Sequence, residues 1–332
     1  MRPFHYQHAS DRAEALTLAA TAPATTQYLA GGTTLVDLMK LDVMRPLTVV
    51  DINGLAGEHG EVVLDGQALH LGALARMADV AEHPAVRREF PVIAQSLELA
   101  ASPQIRNMAS LGGNVLQRTR CSYFRDTHWA ACNKRAPGSG CAAVAGVNRR
   151  LGVLGVSEHC IANYPGDFAT ALAALGATVD LESASARRVI AFEDLHRLPG
   201  DTPHIETTLR PGELITGFSV PVGPWNRRSL FLKVRDRQSY EFALASAAIA
   251  LDLDGDIVRA VRVGLGGVAA KPWRSRAAEA ALLGHKLDEP AARAAGEAAF
   301  AGAGGHGQNA FKIELGKRTL ARALLQAAAM EI

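Results

Sequence analysis

Four cysteines make up the whole thiol complement of this 332-residue chain, and all of them lie between Cys121 and Cys160. Cys121, Cys132, Cys141 and Cys160 are spaced C-x10-C-x8-C-x18-C. Random placement would rarely gather them so closely, so a shared metal site is expected. Two disulfides or scattered structural thiols are the plainer readings, although a chain of this length can fold without such staples. Zinc ribbons and knuckles use C-x2-C pairs, because two thiolates on a tight turn fit one tetrahedral ion. No such pair occurs here. The iron corners of a cubane lie farther apart and can be reached from separate turns, yet the runs typical of ferredoxins are also absent. Spacing alone leaves an iron–sulfur cluster and zinc both open. From Arg118 to Arg150 there are seven basic residues and one acid, Asp126. An oxidised cubane with four thiolates carries about −2, which these cations would offset. A solvated basic loop, or a face for another subunit, would read the same way. His128 and His159 are ligands by type, but four cysteines already complete a cluster.

Two glycine loops offer a different chemistry. Ala30-Gly31-Gly32-Thr33-Thr34 follows an apolar strand-like stretch, and Ser110-Leu111-Gly112-Gly113-Asn114 follows a donor-rich turn. Glycines let backbone N–H groups come close to a phosphate, and hydroxyls and a helix start add donors. Either loop alone is an ordinary turn. Together they suit a pyrophosphate joined to a flat ring system. No G-x-G-x-x-G is present, so a Rossmann-type site has no support.

These residues need a scaffold, and the chain shows one. Phe4-His5-Tyr6 reads as a short strand, and Asp11 to Glu14 as a helix capping box. Residues 27–30 form a second strand, 35–41 an amphipathic stretch and 48–52 a third strand. A hairpin spans 61–74 around Asp65-Gly66. Apolar spacing predicts one helix over 86–101, with a loop at 102–118. Residues 167–181 read as a helix running into a strand, with Gly176 as C-cap. A strand at 213–221 follows. After Pro224-Trp225-Asn226 the texture changes to an antiparallel meander at 229–235, 243–252 and 257–268, its last turn at Asp254-Gly255. Helices are expected at about 276–284, 288–301 and 311–329. Strands followed by helices predict a separate α+β unit.

Composition excludes several classes. The 35 basic and 33 acidic residues leave a net charge of +2, too little for a bulk nucleic-acid or anionic-membrane binder. The best apolar run, 242–251, is about half a membrane span and holds Ser246. No signal-peptide h-region is visible near Met1, so no signal peptide is expected on this chain. Neither a Ser–His–Asp set, paired carboxylates nor HExxH stands out, so no catalytic residue is assigned.

Tyr28–Lys40 and Arg106–Asn114, in this order and separation, resemble the two flavin loops of the FAD-binding medium subunits of the molybdenum hydroxylases, the xanthine dehydrogenase, carbon monoxide dehydrogenase and aldehyde oxidoreductase family. The resemblance covers nearly the whole chain. It implies an α+β fold: a PCMH-type FAD domain of two α+β subdomains over 1–223, then a smaller α+β domain over 227–332. It further implies that Gln27, Tyr28, Leu29, Ala30, Gly31, Gly32, Thr33, Thr34 and Leu35 wrap the FAD pyrophosphate. Ser110 would bond the cofactor, with Gly113 and Asn114 close by. Asp167 matches an acidic FAD ligand that opens a helix. Ile215 and Lys233 fall at further contacts. Read without the family, Asp167 is a helix cap and Lys233 a solvated strand lysine.

Between Asn114 and Asp167 about 50 residues intervene, where ordinary members have a few. This insert, about 118–163, holds every cysteine. It resembles the insert of bacterial periplasmic aldehyde oxidoreductase FAD subunits, which binds a [4Fe–4S] cluster, and that resemblance favours the cluster over zinc. It implies a heterotrimer in which a molybdenum-cofactor large subunit oxidises an aldehyde or N-heterocycle. A [2Fe–2S] small subunit would pass electrons to FAD here, and on to an external acceptor. It also implies the periplasm, reached by co-export with a partner that carries a twin-arginine signal; the alternative is the cytoplasm. Two competing functions are a self-contained flavin oxidase and a zinc-stapled binding module.

Overall fold

A computed structural model describes residues 1–332. The chain opens with three short strands, β1 (His5–His8), β2 (Thr26–Leu29) and β3 (Thr48–Asp51). They form a parallel sheet in the order β1-β3-β2. The helix Arg12–Thr21 links the first two, and Asp11 caps it by accepting from the Glu14 amide at 2.8 Å. The Glu14 carboxylate reaches back one residue beyond the expected box, to the Ser10 amide.

Next comes a five-stranded sheet of β4 (Val62–Leu64), β5 (Ala68–Gly72), β6 (Thr178–Glu182), β7 (Arg187–Ala191) and β8 (Leu214–Pro221), ordered β4-β5-β8-β6-β7 and antiparallel throughout. The Asp65 carboxylate closes the first hairpin, accepting from the Gln67 and Ala68 amides. A third sheet contains β9 (Ser229–Val234), β10 (Ala245–Asp254), β11 (Ile257–Gly266) and β12 (Trp273–Arg274), ordered β12-β11-β10-β9. The helices Pro91–Glu98 and Asp167–Leu175 lie between the second and third sheets. Phe90, Ile93, Phe168 and Leu172 fill that core together with Phe218 of β8 and Ala248 of β10. The other face of the third sheet is covered by the helices Arg276–Leu282, Glu289–Ala299 and Phe311–Ala328.

The helix expected over 86–101 is two helices, Pro84–Glu89 and Pro91–Glu98. Pro91 has no N–H and its ring disfavours a helical residue before it, so Phe90 sits at φ −136°, ψ 60° and the axis breaks. The loop expected at 102–118 carries two short helices, Pro103–Met108 and Leu111–Val115. Gly176 ends its helix at φ 68° as expected, in the left-handed region that glycine adopts without strain.

The cysteine-bearing segment has little regular structure: a single turn of helix, Ser122–Arg125, and three isolated bridges, Cys132 with Cys141, Ser157 with Cys160, and Leu154 with Ala269 outside the segment. The last helix holds it down. Lys312 is fully buried, and its Nζ donates to the carbonyls of Arg150, Leu151 and Gly267 at 3.0, 3.0 and 2.6 Å. Those acceptors satisfy an ammonium group that burial would otherwise make costly.

Candidate functional site: two glycine loops and a four-thiol void

Strand β2 delivers the chain to Gly31 and Gly32, and the helix Leu35–Lys40 carries it away. Gly32 has φ +72°, where a side chain is strained. Gly31 is constrained differently: a Cβ there would meet the Met108 carbonyl oxygen at 1.9 Å. The sequence reading gave both glycines to phosphate approach. The structure shows that Gly31 is also the point where one loop packs on the other. No backbone carbonyl accepts the N–H groups of Gly31, Gly32, Thr33 or Thr34, so this turn presents free donors of the kind that hold an anion.

A relay of side chains fixes the two loops together. Arg76 donates to the Met108 carbonyl and, at 2.9 Å, to Asn53 Oδ1. Asn53 Nδ2 donates in turn to the Ala30 carbonyl at 3.0 Å. In the second loop the Ser110 hydroxyl caps the helix Leu111–Val115, accepting from the Gly113 amide at 3.2 Å. Gly112 donates to Ala73.

The loops border a cavity of about 430 Å³, within the size range of small-molecule sites. Gln27, Tyr28, Ala30, Gly31, Gly32, Thr33, Thr34, Leu35, Ser110, Gly113 and Ile215 all line it. Four candidates do not. Leu29 ends β2 beside the cavity without lining it, and Asn114 turns its Nδ2 to Met77 Sδ at 3.3 Å. Asp167 and Lys233 pair with each other at 2.6 Å, with side chains 4% and 1% exposed. Lys233 donates also to the Leu99 carbonyl, so the solvated lysine expected from sequence is buried. Burial pushes the Asp167 carboxyl up, against the pull of Lys233. Asp167 is the first residue of its helix, and Gly166 is the cap.

Sequence reasoning missed the far side of the cavity. The Val115 carbonyl accepts from Tyr164 Oη and from His196 Nε2, both at 2.9 Å. Burial lowers the His196 pKa to about 4, so the ring is neutral and its Nε2 carries the proton. Tyr28 Oη donates to the Gly212 carbonyl at 2.9 Å. Glu206 takes the Arg118 guanidinium and, at 3.3 Å, the Lys134 ammonium. Burial works to raise the Glu206 pKa, but these two cations outweigh it and hold the carboxyl below its usual range.

The four cysteines are free thiols lining one void, with Phe124, Asn133, Lys134 and His159 among its other walls. Its free space is about 10 Å³. Burial pushes the Cys121 thiol up to about 12 and the Cys160 thiol up to about 11. No three His, Cys, Asp or Glu side chains are arranged to hold a metal ion. What the insert supplies is four sulfurs, from separate turns, on one apolar void. His128 stands apart in solvent, bonded to Asp126.

The family described as "FAD binding domain in molybdopterin dehydrogenase" matches residues 2–223, and "CO dehydrogenase flavoprotein C-terminal domain" matches 231–327. The chain is 46% identical to the aldehyde oxidoreductase FAD-binding subunit PaoB of Escherichia coli K12, over 99% of each chain. It is 25% identical to the carbon monoxide dehydrogenase medium chain of Afipia carboxidovorans, over 98% of this chain and 97% of that one. The solved carbon monoxide dehydrogenase of Oligotropha carboxidovorans shares the fold, with a TM-score of 0.78 at 23% identity over 99% of both chains. The chain belongs to the family of FAD-binding medium subunits of the molybdenum hydroxylases.

Proposed function

We propose that this chain is the FAD- and [4Fe–4S]-binding electron-transfer subunit of a heterotrimeric, molybdenum-dependent aldehyde oxidoreductase. The observation that carries this reading is end-to-end identity of 46% with a relative named as an aldehyde oxidoreductase FAD-binding subunit. A molybdenum-cofactor large subunit would oxidise the substrate, and a [2Fe–2S] small subunit would hand its electrons to this chain. From here they would leave for an external acceptor. The medium-chain name of the carbon monoxide dehydrogenase relative fits a chain that works among other subunits.

The cavity residues fit a flavin. Bound flavin supplies one-electron and two-electron transfer, which lets it join clusters to a two-electron acceptor. The chain's own part is to bind and orient it. Gly31, Gly32, Thr33 and Thr34 offer free N–H donors to the pyrophosphate, and Ser110 lies on the opposing loop. Ile215, Leu116 and Leu209 give the cavity apolar wall. For the cluster, the donor set fits in kind though not in its present arrangement: four thiols line one void, with no competing carboxylate and with Lys134 to offset negative charge. The domain boundaries we propose are 1–223 and 227–332, and the cellular site is the periplasm, by export with a signal-bearing partner.

An anaerobic titration tests the subunit reading. The purified chain is mixed with aromatic and aliphatic aldehydes while the flavin absorbance is followed. Dithionite should bleach the chromophores, and aldehyde should do so only after the large and small subunits are added. Rapid bleaching by aldehyde without partners would mean a self-contained oxidase.

A further inference from the structure

The cavity between the glycine loops and the four-thiol void meet at Lys134, which lines both. Lys134 lies two positions after Cys132, and its side chain is only 11% exposed. Its Nζ donates to the Pro203 carbonyl at 3.2 Å and pairs with Glu206 Oε2 at 3.3 Å. Glu206 lines the cavity, and its other oxygen takes the Arg118 guanidinium. That guanidinium lies 4.5 Å from the centroid of Phe124, whose ring borders the void. Two cations and one carboxylate therefore occupy the partition, with one positive charge in excess. Arg118 and Lys134 come from the insert and Glu206 from the segment between β7 and β8.

We propose that Lys134 is an electrostatic tuning residue shared by the two sites, raising the reduction potentials of the flavin and of the cysteine-bound cluster together. The inference rests on the cofactor reading above. Each one-electron reduction adds a negative charge on its side of the partition. A cation held between them, screened from water, favours the reduced form of both. Arg118 and Glu206 nearly cancel, so the excess charge is that of Lys134. One residue thus acts on two sites, with the same sign on each.

The test is a potentiometric titration of the full chain carrying FAD and iron, with the flavin read by absorbance and the cluster by electron paramagnetic resonance. Lys134→Gln should lower both midpoint potentials, and Lys134→Arg should leave both near the wild-type values. Glu206→Gln, which removes a negative charge from the same wall, should raise both. Opposite signs are the signature of a field, since a merely loosened wall would move both variants the same way. Unmoved potentials in Lys134→Gln at full cofactor content would overturn the proposal. So would a shift confined to one cofactor, or shifts of equal sign in the Gln variants. Should Lys134→Gln fail to hold its cofactors, Glu206→Gln and Lys134→Arg decide the matter. Wild-type chain without iron would overturn the cluster reading, and with it the shared role of Lys134, whereas iron at full content with unmoved potentials would overturn the tuning role alone.

Discussion

Gly31 and the Met108 carbonyl oxygen are so close that a Cβ on Gly31 would lie 1.9 Å from that oxygen. The two glycine loops are therefore fitted to each other before any ligand is considered. Gly31→Ala should push them apart, at an overpacking cost of about 1–3 kcal/mol. Gly32→Val acts by another route, forcing a β-branched residue to φ +72° at about 1–2 kcal/mol. Both variants should lose most bound flavin, measured as the ratio of visible to protein absorbance. Full occupancy in either would remove its loop from the binding site.

Asp167 and Lys233 are buried partners, so the loss of one strands the other. Asp167→Asn should destabilise the chain by about 3–5 kcal/mol, read from the urea midpoint. An apolar pair, Asp167→Leu with Lys233→Met, should cost less than the single change. Flavin content is the companion measurement. Loss of flavin at unchanged stability is what direct contact with the cofactor would give.

His196 predicts an acid limb in stability. Its folded pKa, about 4, lies below the ordinary value of 6.5, so the unfolded chain binds the proton more readily. Stability from this group is fully present above pH 6.5 and is lost as pH falls toward 4, by about 3 kcal/mol in all. His196→Phe should flatten that limb. Stability curves for both chains between pH 4 and 7 that stayed parallel would show that another group is responsible.

Metal analysis tests the four-thiol void. About four irons per chain are expected on the cubane proposal, with a broad brown absorbance beside the yellow of flavin. Serine at any one of the four positions should cut the iron content sharply. One zinc per chain and no iron would favour the zinc-stapled reading.

Much of this could be read in the sequence because it is local. The hairpin at Asp65-Gly66, the Gly176 cap and the meander of β9 to β11 each depend on a few adjacent residues. The glycine loops were legible for the same reason. What was not legible depends on distant partners. Glu206 meets Arg118 and Lys134 across 88 and 72 positions, and no periodicity announces that. Lys233 looked like a strand lysine until Asp167, 66 positions away, covered it. Local signals also competed: apolar spacing continues smoothly through Pro91 while its backbone cannot, and the short helices capped by Ser102 and Ser110 lie in a stretch that reads as loop.

The grip of Lys312 has a consequence for how the protein is made. Leu151 packs in the same apolar cluster as Cys121, Cys132 and Cys160, and its carbonyl waits for a lysine 161 positions downstream. A ribosome adding about 5–20 residues per second needs on the order of ten seconds or more to supply it. During that interval the thiols are present while the helix that pins their pocket is not. A centre that needs the finished pocket can therefore enter only after translation has passed the last helix, and a chain cut short before Lys312 would present cysteines without a finished place to hold it.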